Sequence, residues 1–490
     1  MKLKKLLCLI IIFLVNKPFI DKCLSQVNFD TTVDYNNGAE FPYSIYQVAD
    51  SGYIFITSGN NQIEFNKLKE NGSVSFQKTF GLTNTRLYVG LSNSLKPTYD
   101  GGFVFGGGVQ YLSSSTNAGD GMLVKYDSNA DTEFVKILGD TTWESIYDCI
   151  QTSDSGFALA GIKHRYLPIN NDYWIVKTDQ NGNVLWARNS LNTGEETFHL
   201  IENWNHEIVV SGAKKIANSI HCPFIVTYDL QGNLVSTKSF NYGAFICAAG
   251  AINRYGTFNY ALTGCLDTII NNNDYSYPEY LAKTDSNFNI IWKTIFNSPE
   301  KINIYINKEI SDQGIVLVGF KHDSVTGFTV GWIAKIDSNG SKVWEHFYKH
   351  GPSYNYFSDF QETFDHGFVI CGTTWGGSSQ DSWIVKLDSN GCLDTSCGLN
   401  TGTVELFYSQ NSLDIFPNPS TAQVTINYKL MPGKEGKLSI FSMLGEKIKE
   451  QVLFDGSKQI EINIDHWAKG IYLCIVESKG NILKGKLIKE

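Results

Sequence analysis

The feature that most constrains the fold of this 490-residue sequence is a unit that recurs seven times, at a spacing of about fifty residues. Each unit contains two phrases in the same order. The first is a polar turn followed by an apolar segment that ends in glycine, as after Asp154-Ser-Gly-Phe157. The second is an apolar segment, then Lys-x-Asp-x-Asn-Gly, then a segment often opened by tryptophan, as from Trp174 to Trp186. The first phrase recurs at Asp50, Asp100, Asp312 and Asp365, with degenerate copies at Asn205 and Asn259, and the second recurs near Asn71, Asp127, Asp229, Asp285, Asp337 and Asp388.

Each unit predicts four short strands. In the third unit we expect them near residues 145–152, 156–162, 173–178 and 183–189. The turns after the first and third strands contain Asp-Ser-Gly and Asn-Gly, which suit hairpins because Asn and Gly tolerate positive φ. No helical periodicity lies between the units. The sequence therefore predicts an all-β protein in which residues 26–398 form a seven-bladed β-propeller.

The last unit is incomplete, and the chain offers a replacement for its missing strand. The seventh copy reaches Gly391 and then breaks off before its fourth strand. The segment from Val27 to Val33 is similar to the fourth strands of other units, with Phe29 at the tryptophan position. We expect this N-terminal strand to close the last blade, which would remove an open sheet edge and lock the ring.

The first 25 residues have the pattern of a secretory signal peptide. Lys2, Lys4 and Lys5 precede an apolar run, Leu6 to Val15, that is too short to span a bilayer. Small residues before position 26 suit cleavage there. No later stretch approaches membrane-spanning length. The expectation is an exported protein without a membrane-spanning segment.

Charge argues against nucleic acid as a partner. The formal net charge is −9, of which residues 1–25 contribute +4 and residues 411–490 contribute +2. Residues 26–410 therefore carry −15. An acidic body repels phosphate backbones and anionic lipid headgroups.

Two of the ten cysteines lie close together at the end of the repeat region. Cys392 and Cys397 flank four residues in Gly391-Cys-Leu-Asp-Thr-Ser-Cys-Gly398. In an oxidising, exported setting they are predicted to form a disulfide that closes a small loop. The alternative, one half of a metal site, lacks a second cysteine pair at suitable spacing.

After a linker at residues 399–411 the pattern changes to alternating strands joined by short turns. This pattern predicts a small β-sandwich, Ig-like, over residues 412–490. Three short sequences stand out within it: Pro417-Asn418-Pro419, Met443-Leu-Gly445, and Trp467 to Leu473 with Gly470 and Tyr472. A basic tail follows, which carries Lys484, Lys486 and Lys489.

These C-terminal motifs closely resemble the type A C-terminal sorting domain of the type IX secretion system of Bacteroidetes. The resemblance implies passage across the outer membrane, with the secretion machinery and a surface peptidase as partners. It also implies anchoring at the cell surface or release. The repeats themselves resemble the seven-bladed propeller repeats of exported bacterial proteins, which serve many functions and so do not indicate a ligand.

The sequence shows no recognisable catalytic, phosphate-binding or dinucleotide-binding motif, and we predict no catalytic residue, metal or cofactor. Asp127 to Glu133 has oxygen ligands at alternating positions, as in part of a calcium loop, but lacks the required glycine. Aspartates that recur in every unit are predicted to be structural turn residues.

The connections between the second and third strands are long and differ from blade to blade. Variable loops on a rigid scaffold usually carry binding, and aromatic rings beside amides suit sugar or peptide surfaces. We therefore predict a non-catalytic module that binds glycan or protein through this face. Two alternatives are packing of these aromatics on neighbouring blades and a secreted hydrolase with paired carboxylates in the channel. The predicted ligand-binding residues are Tyr111, Tyr166, Tyr275, Tyr277 and Trp375.

Overall fold

The computed structural model describes most of the chain, and every regular element in the described part is a β-strand. The described residues are 27–34, 39–112, 119–140, 142–166, 169–190, 194–217, 220–240, 249–265, 268–270, 274–276, 278–296, 301–322, 327–375, 379–394, 413–428, 435–442, 446–454, 459–478 and 481–490.

Residues 27–394 form seven antiparallel sheets, the blades of a β-propeller. The strands of each blade are lettered a to d in chain order, with strand a packed against strand a of neighbouring blades. The N-terminal strand is β1 (Phe29–Val33). Blades 1 to 3 comprise β2 (Phe41–Gln47), β3 (Tyr53–Gly59), β4 (Gln62–Leu68) and β5 (Val74–Phe80); β6 (Thr85–Val89), β7 (Leu95–Pro97), β8 (Phe103–Tyr111), β9 (Gly119–Tyr126) and β10 (Thr132–Leu138); and β11 (Trp143–Gln151), β12 (Phe157–Tyr166), β13 (Ile169–Thr178) and β14 (Val184–Asn189).

Blades 4 and 5 follow the same plan. Blade 5 has a small added hairpin between strands b and c. They comprise β15 (Glu195–Glu202), β16 (Ile208–Ala217), β17 (Ile220–Tyr228) and β18 (Leu234–Ser239); and β19 (Ala249–Tyr255), β20 (Asn259–Cys265), the hairpin β21 (Thr268–Ile270) and β22 (Asp274–Ser276), β23 (Glu279–Thr284) and β24 (Ile290–Phe296). Blades 6 and 7 comprise β25 (Ile302–Glu309), β26 (Ile315–His322), β27 (Thr329–Ile336) and β28 (Lys342–Tyr348); and β29 (Asn355–Glu362), β30 (Phe368–Trp375) and β31 (Gln380–Leu387).

The fourth strand of blade 7 is β1, from the other end of the described chain. It pairs antiparallel with β31, and Phe29 lies opposite Lys386. This register matches that of Trp344 opposite Lys335 in blade 6. Asn28 also donates hydrogen bonds to the carbonyl oxygens of Cys392 and Leu393, at 3.3 and 3.1 Å. The ring is thus closed by pairing between Phe29–Val33 and Ser382–Lys386, near the two ends of the propeller sequence.

Five of the seven blades pack on the next through an aromatic residue of strand d and a glycine of the neighbouring c–d turn. The Trp186 ring lies against Gly232, which has φ +83°, and its indole N–H donates to the Leu230 carbonyl at 2.9 Å. The same contact joins Trp292 to Gly340, and Phe29 to Gly72 across the closure. A side chain on these glycines would strike the ring, so the repeated Asn-Gly serves packing between blades as well as turn formation.

Strand a carries a β-bulge in six blades. In blade 3 the register shifts between Ile146, opposite Gly161, and Asp148, opposite Ala160, so that Tyr147 is the extra residue. Equivalent shifts occur in β2, β15, β19, β25 and β29. A bulge re-aims a side chain without ending the strand. Here it turns one additional residue per blade toward the centre of the ring.

Blade 2 departs from the predicted four strands. Its strand a is interrupted, so that β6 and β7 both pair with β8. The backbone between them bonds to its neighbours instead: Leu91 N–H donates to the Tyr147 carbonyl at 2.7 Å, and Asn93 N–H donates to the Tyr43 carbonyl at 2.8 Å. The interruption therefore fills the bulges of blades 1 and 3.

The C-terminal residues fold into two sheets around their own core. One contains β32 (Asp414–Phe416), β33 (Gln423–Asn427) and β36 (Gln459–Asn463). The other has the order β35 (Lys447–Phe454), β34 (Glu435–Ser442), β37 (Gly470–Ser478) and β38 (Asn481–Lys489). Buried apolar side chains from both sheets pack together, among them Ile426, Leu438 and Leu487. Nowhere in the described part is there a helix of the length and apolarity needed to cross a membrane.

Candidate functional site

A cavity of about 520 Å³ opens at the centre of the ring, on the face where the b–c connections emerge. The bulges of strand a build much of its wall, since the extra residues Tyr43, Phe198, Gly250, Tyr305 and Ser358 all line it. The volume is within the range of small-molecule binding sites. Among the described residues that line it there is no Asp, Glu, Lys or Arg; the remaining ones are Phe41, Leu91, Ser92, His199, Ile304, Tyr356, Thr373 and Gln380.

Three tyrosines supply hydroxyl groups to this mouth. Burial raises the pKa of Tyr305 to about 12, and the neighbouring Tyr356 and Tyr43 contribute in the same direction. Burial also raises the pKa of Tyr43, opposed by a hydrogen bond with Ser58, and that of Tyr356, opposed by one with Thr329. All three phenols are therefore neutral at physiological pH and can both donate and accept hydrogen bonds.

In blades 3 and 7, the residue of strand a that directly follows the bulge is an aspartate, and each of these aspartates forms an ion pair with a lysine. Asp148 pairs with Lys96 at 3.1 Å and is 3.4 Å from His199 Nδ1. Asp359 pairs with Lys308 at 2.7 Å. Burial lowers the pKa of Lys308 below its usual value, and the nearby Asp359 opposes part of this shift. Each carboxylate also accepts backbone N–H groups. Because both carboxylates are held by a lysine and by backbone N–H groups, we interpret them as structural groups and not as a catalytic acid and base.

The opposite mouth of the channel is chemically different. A shallower cavity of about 400 Å³ is lined there by charged side chains, which include Glu202, Arg254, Lys308 and Glu309. Arg254 donates to the carbonyl oxygens of Glu202 and Asn203. The neutral, aromatic mouth and the charged mouth are thus separated by the layer of ion pairs.

A line of contacting aromatic rings runs outward from the neutral mouth across blades 6 and 7. We call Tyr305, Phe320, Tyr356, Tyr354 and Trp375 the aromatic ribbon. Successive ring centroids along it are 5.5, 4.9, 6.3 and 6.2 Å apart. Tyr305 and Tyr356 also line the cavity. Tyr305, Tyr354 and Trp375 are each 38% exposed, which leaves ring surface available on this face.

Of the five predicted ligand-binding residues, the structure describes the side chains of Tyr111 and Trp375. Tyr111 ends β8, and its hydroxyl donates to Asp120 at 2.7 Å; burial raises its pKa to about 12. Trp375 ends β30 and belongs to the aromatic ribbon. Tyr166 ends β12 and Tyr275 lies in β22, but the placement of their side chains is not described, and Tyr277 lies outside the described residues.

Other members of the site were missed by the sequence reasoning, which looked only at loops. Tyr43, Tyr305 and Tyr356 lie within strands a, where an alternating pattern predicts packing against the next blade. Exposure of Tyr43 and Tyr305 to the channel follows from the bulges, whereas Tyr356 lies opposite Thr373, two residues before the extra residue of its strand. An aromatic residue that recurs at the same place in strand a of several units is the sequence signal that could have indicated this site.

The repeated aspartates serve the turns. Asp127 Oδ1 accepts the backbone N–H groups of Asn129 and Asp131, both at 2.8 Å, and these bonds lower its pKa. Asp131 pairs with Lys78 at 2.6 Å, and Glu133 pairs with Lys125 at 2.8 Å. The oxygens of the calcium-like stretch are thus engaged with protein groups. In the described part of the chain, no group of three or more His, Cys, Asp or Glu side chains could hold a metal ion.

One close pair of acidic side chains lies between blades 1 and 7. Glu40 and Glu64 are 1% and 2% exposed, and burial, with the charges of Glu40 and Asp34, raises the pKa of Glu64 to about 8. Glu64 Oε2 has no hydrogen-bond partner among the described residues. The pair is outside the channel lining and closed to solvent.

Cys392 is buried and disulfide-bonded. Its predicted partner, Cys397, lies outside the described residues. The pairing of these two cysteines therefore stays a prediction.

The predicted sorting motifs, distant in sequence, meet on one strand. Asn418 accepts the Ile488 N–H at 2.8 Å and donates to the Lys486 carbonyl at 2.6 Å, so the Pro417-Asn418-Pro419 segment is bound to β38. The adjacent strand begins at Gly470, which lies opposite Lys489. Tyr472 is buried, packs on Trp467 at 4.9 Å and donates to the Ala468 carbonyl. Gly445 lies outside the described residues.

Comparison with known proteins identifies the C-terminal unit. Residues 414–490 match the family described as the secretion system C-terminal sorting domain. With its seven blades and this domain, the chain is a secreted β-propeller protein carrying a type IX sorting tail. No curated protein matches the chain.

Several solved structures are similar to the propeller at low sequence identity. A catalytically inactive virginiamycin B lyase from Staphylococcus aureus, solved with quinupristin, is 11% identical with a TM-score of 0.43, over 73% of this chain and 98% of that one. A PL25 ulvan lyase is 9% identical with a TM-score of 0.47, over 77% and 100%. The β-propeller domain of the trilobed protease from Pyrococcus furiosus is 12% identical with a TM-score of 0.41, over 75% and 99%. Similarities at this level carry no argument about activity or ligand.

Proposed function

We propose that the propeller is a non-catalytic recognition module that binds glycan or protein through the face where the b–c connections emerge. The observation that carries this proposal is the neutral channel mouth continued by exposed aromatic rings. Rings provide apolar contact area, and nearby hydroxyl and amide groups orient a ligand. The acidic body of the protein disfavours nucleic acid as that ligand.

The proposal also covers the route by which the protein reaches the outside of the cell. The sorting domain indicates secretion to the cell surface or extracellular space. We propose that residues 1–25 direct export across the inner membrane of a Bacteroidetes cell and that type IX machinery completes the passage. A surface peptidase would then process residues 412–490, leaving the propeller anchored or released.

The proposed function is tested by binding of the chain from residue 26 onward to immobilised glycan and peptide libraries. We expect reproducible binding that Tyr111→Ala or Trp375→Ala weakens at least fivefold. Phe364→Ala is the matched control, because Phe364 is an exposed ring on the a–b turn of blade 7, at the opposite face. Binding that is equally weakened by Phe364→Ala, or absent from a folded protein, would contradict the proposal.

The alternative is a secreted hydrolase acting on polysaccharide or peptide. One observation that favours it is the Glu40–Glu64 pair, since a carboxyl of raised pKa beside a second carboxyl is the equipment of glycosidases. Both side chains are buried, so a substrate does not reach them in this structure. Release of reducing ends from any bound glycan, abolished by Glu64→Gln, would establish the alternative.

A further inference from the structure

We propose that the ligand is an uncharged oligosaccharide chain, laid along the aromatic ribbon with one end in the neutral cavity. This inference rests on the proposed function and names the site and ligand class for it. It concerns a continuous surface from the channel to Trp375, which lies at the outer end of strand b in blade 7.

The first argument is the clustering of exposed rings. Within the described residues nine aromatic side chains are more than a third exposed, and four of them, Tyr305, Phe328, Tyr354 and Trp375, belong to one network of ring contacts. Single exposed aromatics are ordinary on protein surfaces, whereas a contiguous exposed patch marks an interaction site. Packing between blades does not account for rings that keep more than a third of their surface in water.

The second argument is the shape of the patch. The ribbon is elongated: its centroids follow each other at 4.9 to 6.3 Å, comparable to the size of a pyranose ring, and Phe328 lies beside Tyr354 at 5.6 Å. Sugar rings present flat C–H faces with hydroxyls at their edges, so a row of aromatic rings can bind consecutive sugars. A broad protein partner would match a wider patch with a polar rim.

The third argument is the charge of the lining. The cavity at the inner end is lined by neutral tyrosines and by Ser92, Ser358, Thr373 and Gln380, and its described lining offers no lysine or arginine to pair with a uronate or sulfate. Lys308 and Lys96 in the channel are already paired with Asp359 and Asp148. A ligand carrying negative charge would therefore lose solvation without gaining a counter-charge. Hydroxyl and amide groups instead match the hydroxyls of an uncharged sugar.

The test is titration calorimetry of the chain from residue 26 onward with neutral di-, tetra- and hexasaccharides of α- and β-linked hexoses and pentoses. Size-matched oligouronates are the charged comparison. We expect binding of at least one neutral series, with affinity that rises from disaccharide to hexasaccharide. Trp375→Ala and Tyr354→Ala should each weaken hexasaccharide binding about tenfold and disaccharide binding much less. Trp375→Phe should retain most of the affinity, and Phe364→Ala should match the unsubstituted protein.

Two outcomes overturn this inference. One is absence of binding to every neutral series by a protein whose thermal transition is intact. The other is binding of oligouronates or peptides in preference to neutral sugars. Peptide or oligouronate binding that Trp375→Ala weakens would leave the proposed recognition function standing while removing the neutral sugar. Equal loss for di- and hexasaccharide would show that Trp375 supports folding rather than the outer end of the ligand.

Discussion

At the residue scale, the glycine that ends the first repeated phrase is explained by the bulge in the adjacent strand. In blade 6, a Cβ built on Gly319 would lie 1.8 Å from the Asn303 carbonyl oxygen, and Gly161 and Gly372 face the same kind of contact. The bulge pushes this carbonyl toward strand b. Blade 1 has Thr57 at the same register position, opposite Pro42. In blade 6 the glycine therefore leaves room for the displaced carbonyl at the bulge that turns Tyr305 toward the channel, while blade 1 forms its bulge opposite a threonine.

Gly319→Ala should accordingly destabilise the propeller by about 1–3 kcal/mol, because the methyl group forces backbone movement at the bulge. Thr57→Ala is the matched control. Its position already accommodates a Cβ, and the buried Thr57 hydroxyl has no hydrogen-bond partner among the described residues. We expect that control to be neutral or slightly stabilising. Thermal and urea unfolding measure both, and equal effects would show that the close contact is irrelevant.

At the element scale, one short strand determines whether the ring is closed. β1 supplies strand d of blade 7, with Phe29 packed on Gly72 and 5.7 Å from the Tyr53 ring. Asp30 accepts the Trp383 indole N–H at 2.7 Å and contacts His350 at 2.8 Å. Without this strand, β31 would expose an unpaired edge.

Phe29→Ala should lower the free energy of unfolding by about 2 kcal/mol, since Phe29 is only partly buried but joins blade 7 to blade 1. Hydrogen exchange should show faster opening of β31 than of β27, its equivalent in blade 6. Val27→Ala, two residues earlier at an exposed side chain, should change neither quantity. Unaltered exchange in β31 after Phe29→Ala would argue that β1 contributes little to closure.

At the scale of the whole molecule, the closure seam between blades 1 and 7 holds a buried acid whose ionisation destabilises the fold. The pKa of Glu64 is raised from 4.5 to about 8 by burial first and then by Glu40 and Asp34. The folded protein therefore keeps a proton that the unfolded chain releases near pH 4.5. Stability from this group is fully present below about pH 4.5 and is lost as pH rises toward 8.

Glu64→Gln, which imitates the protonated side chain, should raise the free energy of unfolding by about 3–4 kcal/mol at pH 8 and by less than about 1 kcal/mol at pH 4.5. Glu70→Gln, at an exposed site in the same blade, should shift stability equally little at both pH values. Unfolding curves at the two pH values provide the measurement. A pH-independent effect of Glu64→Gln would show that its pKa is ordinary.

The sequence by itself determined the number of blades, the turn chemistry and the C-terminal sorting domain. These follow from local rules repeated in order: Asp-Ser-Gly and Asn-Gly form hairpins wherever they occur, and alternation assigns strand faces. It also indicated Trp375, because an aromatic in a variable loop stands out against the repeat.

Only the tertiary structure decided how residues from different blades meet. The cavity joins Tyr43, Phe198 and Tyr305 from blades 1, 4 and 6, and their inward direction depends on bulges that a single extra residue creates. The ion pairs Lys96–Asp148 and Lys308–Asp359 likewise join neighbouring blades. Periodicity along one chain specifies which face a side chain takes within a strand, but the centre of a ring exists only after all seven blades have closed.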